Sequence, residues 1–546
     1  MPFSKIFSGD LPELTFYVIK YLRNDLKSLY SCILVNRFLC RMTIPILWEK
    51  PFALKCLNGK RFDFLEVYFS FFSELDRNQL IKFGVKFKRI STPLFIYPSF
   101  IKSLDTYRME LHAINWANNL DADITSSPST IKVEPDDITF LDIGKEVEIG
   151  YNDIRLKKFV DMICSLLLKS FIINNASLKD FNLKITTSHG LFLPKFFQLI
   201  FNNTTFVSNV EKFSIGFIAN PNVSKFSQLE SLLTSLPSSL PFVKHFHISY
   251  LSRSKVLKNE TKSRTHILSL KISLDACNFY NNHLTSIEFN RCNFHNVYSF
   301  DGLNDFTQLR SLCFINCKQI KPQFFQPLLD TPTSLKLKSL KLHGPPTGFD
   351  LLFKKVGSYL EHLELFIIGS SGGVYESIII NCDQIKFLCL ANLYHDDNSQ
   401  LYGMITRNNE RLKYLTISSF MSMKMNSKLL HGLGSVLPKS LKYLDLDIVT
   451  DQKSLSSFLV DYRHVGLKTF LFRNRKNEGI DITFNILKNF VIDNEIRNFS
   501  YHINKYFNSD SIIHRNLLQF VKEMPPFVKM QRYHDLVVRI SDFNYD

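Results

Sequence analysis

One six-residue pattern recurs through the second half of the sequence. Apolar residues occupy its first, fourth and sixth positions, and clear copies begin at Leu284, Leu309, Leu337, Leu360, Ile385, Leu412, Leu441 and Leu467. Successive copies start 23 to 29 residues apart. Looser copies begin at Leu178, Val210 and Val243, and one near Ile267 can also be read in a register that ends at Cys277. The chain therefore repeats one structural unit.

The alternation within each copy predicts a short strand. Its fourth and sixth positions point into a core, and its third, fifth and seventh positions point to the opposite face. Between copies, apolar residues such as Leu429, Leu430, Leu433 and Leu437 indicate a helix. One strand and one helix cannot bury their apolar faces alone, but stacked units can. The sequence thus predicts an α/β solenoid with a parallel sheet on its concave face and helices on its convex face; an ordinary doubly wound α/β domain would not require near-constant spacing.

The units resemble leucine-rich repeats, which have periods of about 20–29 residues. The copies that begin at Leu284 and Leu309 carry Cys292 and Cys317 at the ninth position. This is similar to the cysteine-containing class of leucine-rich repeats, which is common in F-box proteins. Later copies place Leu393, Phe420 and Val449 there, so the match to that class is partial.

A different pattern occupies residues 8–52. Pro12 suits the first turn of a helix, and Asp25 is a good N-cap for a second helix. Phe38 and Met42 fit a third helix that Pro45 is expected to end. Three helices in about forty residues cannot bury a large core. Part of their apolar surface should therefore meet a partner or the next domain.

This stretch resembles an F-box. The resemblance rests on Leu11-Pro12, Leu14, Ile19, Leu22, Asp25-Leu26, Val35, Asn36-Arg37 and Leu47-Trp48. It implies docking to the small adaptor of a cullin-RING (SCF-type) ubiquitin ligase, and through the adaptor to the cullin. An ordinary helical cap on a larger domain is the alternative. The residues expected to contact the adaptor, or to hold the shape that it binds, are Leu11, Pro12, Leu14, Ile19, Leu22, Leu26, Val35 and Trp48.

The remaining segments complete a domain plan. We expect an F-box at 8–52, a helical connector at 53–117, an acidic flexible loop at 118–153, the leucine-rich-repeat solenoid at 154–480 and, where the pattern is lost, a C-terminal cap at 481–546. The loop prediction depends on concentrated acid, including Asp136 and Asp137, beside turn-forming residues. Together these parts predict a substrate-recognition subunit of the ligase rather than an enzyme, since the ligase chemistry that the resemblance implies occurs on other subunits.

The net charge of +16 leaves a second function open. A basic repeat scaffold could bind nucleic acid or an acidic partner without ligase function. The Lys and Arg residues are spread singly, however, which makes nucleic acid the less expected partner.

No phosphate-binding loop, nucleophile elbow or zinc-type Cys/His spacing occurs, so no cofactor or metal is expected. No apolar run approaches the roughly 20 residues of a membrane span, and we expect a cytoplasmic or nuclear protein.

The outward strand positions are the candidate substrate site. They include Lys341, His343, His362, Glu364, Phe366, Phe387, Tyr414, Tyr443, Asp445 and Arg473. Because neighbouring strands lie about 4.8 Å apart, the aromatic residues Phe366, Phe387, Tyr414 and Tyr443 are predicted to form one strip. The mixed charges argue against a groove that tracks phosphates and favour a protein or peptide substrate. Alternatively, these aromatic residues fill a shallow curve or meet the C-terminal tail.

Overall fold

The computed structural model describes residues 11–53, 64–85, 93–118, 154–186, 192–218, 237–251, 277–330, 335–344, 348–367, 373–393, 398–462, 466–474, 480–503 and 528–530, apart from a few single positions inside and outside these ranges. The chain divides into two compact units, Met1–Tyr280 and Asn281–Asp546. The acidic loop predicted at 118–153 lies, except for Asn118, outside the described residues.

The first unit begins with three helices, α1 (Pro12–Tyr21), α2 (Leu26–Val35) and α3 (Arg37–Leu47). Pro12 is the first residue of α1, as its missing N–H predicts. The Asp25 carboxylate accepts the N–H of Ser28 at 3.2 Å and caps α2. Asn36 caps α3 by accepting the N–H of Leu39 at 2.8 Å. The predicted helix starts at Pro12 and Asp25 are confirmed.

The prediction that Pro45 ends the third helix is wrong. Helix α3 continues through Pro45 to Leu47, and the N–H of Trp48 still donates to the carbonyl oxygen of Ile44 at 3.1 Å. Proline removes a single backbone donor from the helix. The backbone hydrogen bonds on either side of Pro45 hold the last turn of α3, so the helix tolerates the loss of one bond.

The rest of the first unit combines helices with a parallel sheet. Its further elements are α4 (Phe64–Phe69), α5 (Glu74–Ile81), β1 (Ser103–Asp105), α6 (Thr106–Asn118), α7 (Ile154–Ile173), β2 (Asp180–Thr186), α8 (Phe192–Phe201), β3 (Lys212–Ile218) and β4 (His245–Leu251). The strands pair in chain order, with Leu104, Phe181, Phe213 and Phe246 in register and buried. Because β1 lies within residues 53–117, the segment expected to be a helical connector also contributes a strand. The copy near Ile267 lies largely outside the described residues.

The second unit contains ten parallel strands among its described residues. They are β5 (Ser286–Asn290), β6 (Ser311–Ile315), β7 (Ser339–Gly344), β8 (His362–Ile367), β9 (Phe387–Leu393), β10 (Tyr414–Ser419), β11 (Tyr443–Asp447), β12 (Thr469–Asn474), β13 (Asn498–Ile503) and β14 (Lys529–Met530). Every clear copy of the sequence pattern begins two residues before one of these strands. The pattern therefore predicted eight of these ten strands, β5 to β12, correctly.

Helices alternate with the strands of the second unit. They are α9 (Gln326–Asp330), α10 (Asp350–Val356), α11 (Val374–Asn381), α12 (Ser399–Arg407), α13 (Met423–Val436), α14 (Gln452–Asp461) and α15 (Ile480–Asp493). The fourth and sixth positions of the pattern, such as Leu415 and Ile417, are buried. At β12 the Phe470 ring lies 5.5 Å from the Phe490 ring of α15, centroid to centroid. The predicted α/β architecture is present, with a repeated strand and helix.

We expected the repeat to end at residue 480, but it continues beyond that residue. Strand β13 pairs with β12, and β14 pairs with β13, so the sheet continues into residues 481–546. Ile496 and Phe499 are the first and fourth residues of another copy, which starts 29 residues after Leu467. This copy is harder to recognise because its sixth position carries Tyr501, whereas every clear copy has Leu, Ile or Phe there.

Buried asparagines connect neighbouring units of the repeat. Asn408, at the end of α12, is 2% exposed. Its amide oxygen accepts the N–H of Ile385 at 2.8 Å, and its amide nitrogen donates to the carbonyl oxygens of Cys382 at 3.2 Å and Met404 at 3.0 Å. The side chain thus satisfies three backbone groups that would otherwise be buried without partners.

Candidate functional site

The first candidate surface belongs to the three N-terminal helices. Their shared core is small and consists of Ile19, Leu29, Leu39 and Ile46, with Leu22, Phe38, Met42 and Leu47 packed against it. A core of this size covers only one side of α1 and α2. Much of the apolar surface of the two helices is therefore left for other contacts.

Two apolar stripes are exposed on these helices. The α1 stripe comprises Leu14, Tyr17, Val18 and Tyr21. Their i, i+3, i+4 and i+7 spacing places them on one helix face. The α2 stripe comprises Leu26, Tyr30 and Leu34, which recur every four residues. Tyr21 is 90% exposed and Leu34 is 84% exposed. Contiguous exposed apolar surface of this kind typically marks an interaction site.

The structure separates the residues expected to contact the adaptor into two groups. Leu11, Leu14, Leu26 and Val35 are exposed, and Pro12 is half-buried. Ile19 lies in the core, and Leu22 packs against it. Trp48 packs between Tyr68 and Tyr97, at centroid distances of 5.3 and 4.3 Å. Ile19, Leu22 and Trp48 therefore hold the shape of the first unit, while the exposed group is available to a partner.

Five residues of the stripes were not among those expected to contact the adaptor, namely Tyr17, Val18, Tyr21, Tyr30 and Leu34. The helical periodicity that starts at Leu14 and Leu26 could have identified them.

The helices are also fixed to the sheet of the same unit. Glu49 pairs with Arg23 at 3.0 Å, and its carbonyl oxygen accepts the N–H groups of Lys102 and Ser103 at the start of β1.

The second candidate surface is the outward face of the strands in the second unit. His362, Phe387, Tyr414 and Tyr443 are register partners across β8 to β11. Their successive ring centroids are 6.3, 6.5 and 6.0 Å apart. Three of the four aromatic residues predicted to form a strip therefore do so. Phe366 does not join them, because it lies four residues further along β8, where its ring is 5.5 Å from that of His343.

Charged side chains on this face are paired with one another. Glu364 Oε1 lies 2.8 Å from both Lys341 Nζ and His343 Nε2. Burial alone would raise the pKa of the Glu364 carboxyl, but the contacts with His343 and Lys341 outweigh burial and lower it. Arg473 Nη1 lies 3.3 Å from Asp447 Oδ2. This face presents compensated charges and not a continuous cationic track.

Access to this face varies along the sheet. Lys341, His343, Glu364, Phe366, Tyr414 and Arg473 are half-buried, whereas His362, Phe387, Tyr443 and Asp445 are buried. All five residues of β11 are buried, so the usual alternation between a buried and an accessible face is lost there. Burial lowers the pKa of His362 to about 4, which keeps this imidazole neutral at physiological pH. The half-buried residues of β7 to β10, together with Arg473 on β12, form the accessible part of the predicted substrate site.

The chemistry of the outward cysteines disfavours nucleophilic catalysis. Cys313 and Cys389 both lie on this face, and burial raises the pKa of each thiol well above its ordinary value. A reactive cysteine needs the opposite shift, because the thiolate is the nucleophile.

Within the described ranges, no group of three or more His, Cys, Asp or Glu side chains could hold a metal ion. Among the helices in those ranges, none has both the length and the apolar character that crossing a bilayer requires.

The sequence matches no protein-family model and has no significant match among curated proteins.

Proposed function

We propose that this chain is a substrate-recognition subunit of a cullin-RING (SCF-type) ubiquitin ligase. In this proposal the α1 and α2 stripes dock the adaptor, and the outward face of the second unit binds a protein substrate. The exposed apolar stripes carry the proposal. They coincide with the stretch that resembles an F-box, and a helical cap whose only task was to cover a neighbouring domain would not need them.

The energetics favour docking through the stripes. Burying a large apolar side chain that was exposed contributes about 1.5–3 kcal/mol. Leu14, Tyr17, Val18 and Leu34 are accessible for such burial, and they project from helices that their own core already holds in place. A partner therefore gains contact area without first ordering the surface, which reduces the entropic cost of binding.

The outward face of the second unit supports a protein substrate more than a nucleic acid. Tyr414 and Phe366 offer half-buried aromatic surface, and Lys341, Glu364 and Arg473 place both signs of charge on the same face. Aromatic residues flanked by charges are typical of protein-binding hot spots. A phosphate-tracking groove would be mainly basic.

The test is co-purification of the adaptor with a Leu14→Lys variant. Leu14 is 51% exposed, so the substitution should leave the helices folded while placing a charge in the proposed interface. We expect adaptor recovery to fall at least tenfold. Leu75→Lys, at a leucine that is 77% exposed on α5, is the matched control and should not change recovery.

Equal recovery of the adaptor with the wild type and with Leu14→Lys would contradict the docking role. The substrate role is tested separately with Tyr414→Ala, which should reduce capture of ubiquitinated proteins from cells with an inhibited proteasome. Adaptor recovery and the thermal midpoint should stay close to those of the wild type. Undiminished capture would remove the outward face from the proposal.

A further inference from the structure

A row of basic residues follows the edge of the second unit where its strands begin. The residue immediately before each of the strands β9 to β13 is basic: Lys386, Lys413, Lys442, Lys468 and Arg497. These positions are separate from the outward positions of the candidate substrate site. They are the second residues of successive copies of the six-residue pattern, and their shared chemistry is not needed for the core.

Backbone hydrogen bonds hold these residues side by side. The N–H of Lys413 donates to the carbonyl oxygen of Lys386 at 2.8 Å, and Lys442 donates to Lys413 at 2.8 Å. Lys468 then donates to Lys442 at 2.9 Å. The N–H of Asn498, the residue after Arg497, donates to Lys468 at 3.0 Å. Neighbouring members are therefore about one strand spacing, roughly 4.8 Å, apart along the backbone.

The first member differs from the other four in its ion pairing. Lys386 Nζ lies 2.6 Å from Glu361, the acidic residue at the same position before β8. Lys413, Lys442, Lys468 and Arg497 are exposed and form no ion pair with any residue that the structure describes. We call these four residues the basic row. Like charges on neighbouring strands repel one another, and an anionic partner would relieve that repulsion.

We propose that the basic row binds an acidic segment of another protein, rich in Asp or Glu. The row spans three strand spacings, about 14 Å, which corresponds to four or five residues of an extended peptide. Glu361 ends the run of uncompensated cations on one side, so the row is short. Nucleic-acid binders commonly neutralise about 6–10 phosphates, more than this row could contact. The half-buried ion pair of Lys386 also removes a fifth cation from use.

This inference does not depend on the proposed ligase function. Adaptor docking involves the first unit, whereas the basic row lies in the second. A chain that failed to recover the adaptor could still bind an acidic segment, and the reverse also holds. The two proposals therefore fail in different experiments.

The experiment measures binding of a fluorescein-labelled hexaglutamate peptide to the full chain by fluorescence anisotropy at low and at physiological salt. The variant carries Lys413→Glu, Lys442→Glu and Lys468→Glu. The control carries Lys424→Glu, Lys428→Glu and Lys453→Glu, three exposed lysines on α13 and α14 with the same change in net charge. A second variant with Gln at 413, 442 and 468 removes the charge without reversing it, and thermal unfolding checks that all variants are folded.

We expect the row variant to bind hexaglutamate at least tenfold more weakly, the Gln variant to lose most of that affinity, and the control to stay within threefold of the wild type. Equal losses in the row variant and the control would show general attraction to a basic chain and overturn the proposal. It would also be overturned if a single-stranded thymidine oligonucleotide of similar charge bound the row more tightly than the peptide.

Discussion

Replacing Asn408 with Ala tests whether its buried side-chain amide stabilises the repeat. The substitution removes one hydrogen bond from the N–H of Ile385 and two to the carbonyl oxygens of Cys382 and Met404. Each bond contributes about 1 kcal/mol net, so the expected cost is about 3 kcal/mol. For a unit of this size, about 2 °C is lost per kcal/mol, so the thermal midpoint should fall by about 6 °C.

The measurement is thermal unfolding of the full chain followed by circular dichroism. Asn409→Ala is the matched control, because Asn409 is exposed and adjacent, and its effect should stay within about 0.5 kcal/mol. Asn408→Asp keeps the shape and the acceptor for Ile385 but points a carboxylate oxygen at two carbonyl oxygens. It should therefore cost at least as much as Asn408→Ala at neutral pH. Equal midpoints for Asn408→Ala and Asn409→Ala would refute this reasoning, and a mild Asn408→Asp would show that the donated bonds do not matter.

Two further predictions concern the second unit. Asp451 caps α14 by accepting the N–H of Ser454 at 2.8 Å, so Asp451→Ala should cost about 1 kcal/mol at pH 7. Burial alone would raise the pKa of this carboxyl, but hydrogen bonds from Ser454 and Ser427 outweigh burial and lower it from 3.8 to about 2. A carboxyl whose pKa is lower in the folded than in the unfolded protein stabilises the fold above its unfolded pKa, and this stabilisation is lost as the pH falls through its folded pKa. The stability difference between wild type and variant should therefore shrink between pH 4 and pH 2. If thermal unfolding showed a difference that is independent of pH, it would contradict this prediction. At Gly432, a Cβ atom would lie 2.6 Å from the Tyr402 ring, so Gly432→Ala should cost about 1–3 kcal/mol by displacing the ring. In a Tyr402→Ala background the same change should cost nothing measurable, since alanine is the better helix former, and an unchanged cost in a double-mutant cycle would place the clash elsewhere.

The strands of the second unit were predictable because burial dictates them. Leu415, Ile417 and their counterparts must leave water, and that requirement is written in the sequence at regular spacing. Strand β13 was missed because Tyr501 occupies the sixth position of its copy, where every clear copy has Leu, Ile or Phe. The helix end was predicted wrongly at Pro45. The free-energy cost of the missing proline N–H depends on the helical turn around it, and the sequence alone does not show that turn.

The candidate sites were less predictable than the fold. Spacing placed Leu14 on α1, but only the packed helices show that Ile19 faces the core and Tyr21 faces outward. Phe366 was expected in the aromatic strip because it lies in an adjacent repeat, yet the register aligns His362 with Phe387 instead. The burial of all of β11 could not be read from alternation, since alternation specifies two faces and not how accessible each face is.

The pairing of strands in strict chain order has a consequence for how such a gene can change. In the second unit, β9, β10 and β11 each pair with the strand before and the strand after them in the chain. A duplication or deletion of one whole unit at the DNA level would leave every remaining strand with a neighbour of the same kind. The variable distances of 23 to 29 residues between copies show that the connecting segments already differ in length while the pairing stays the same. Recombination could therefore lengthen or shorten the outward face, and the row of residues that precede the strands, by one strand at a time without changing the register of the remaining strands.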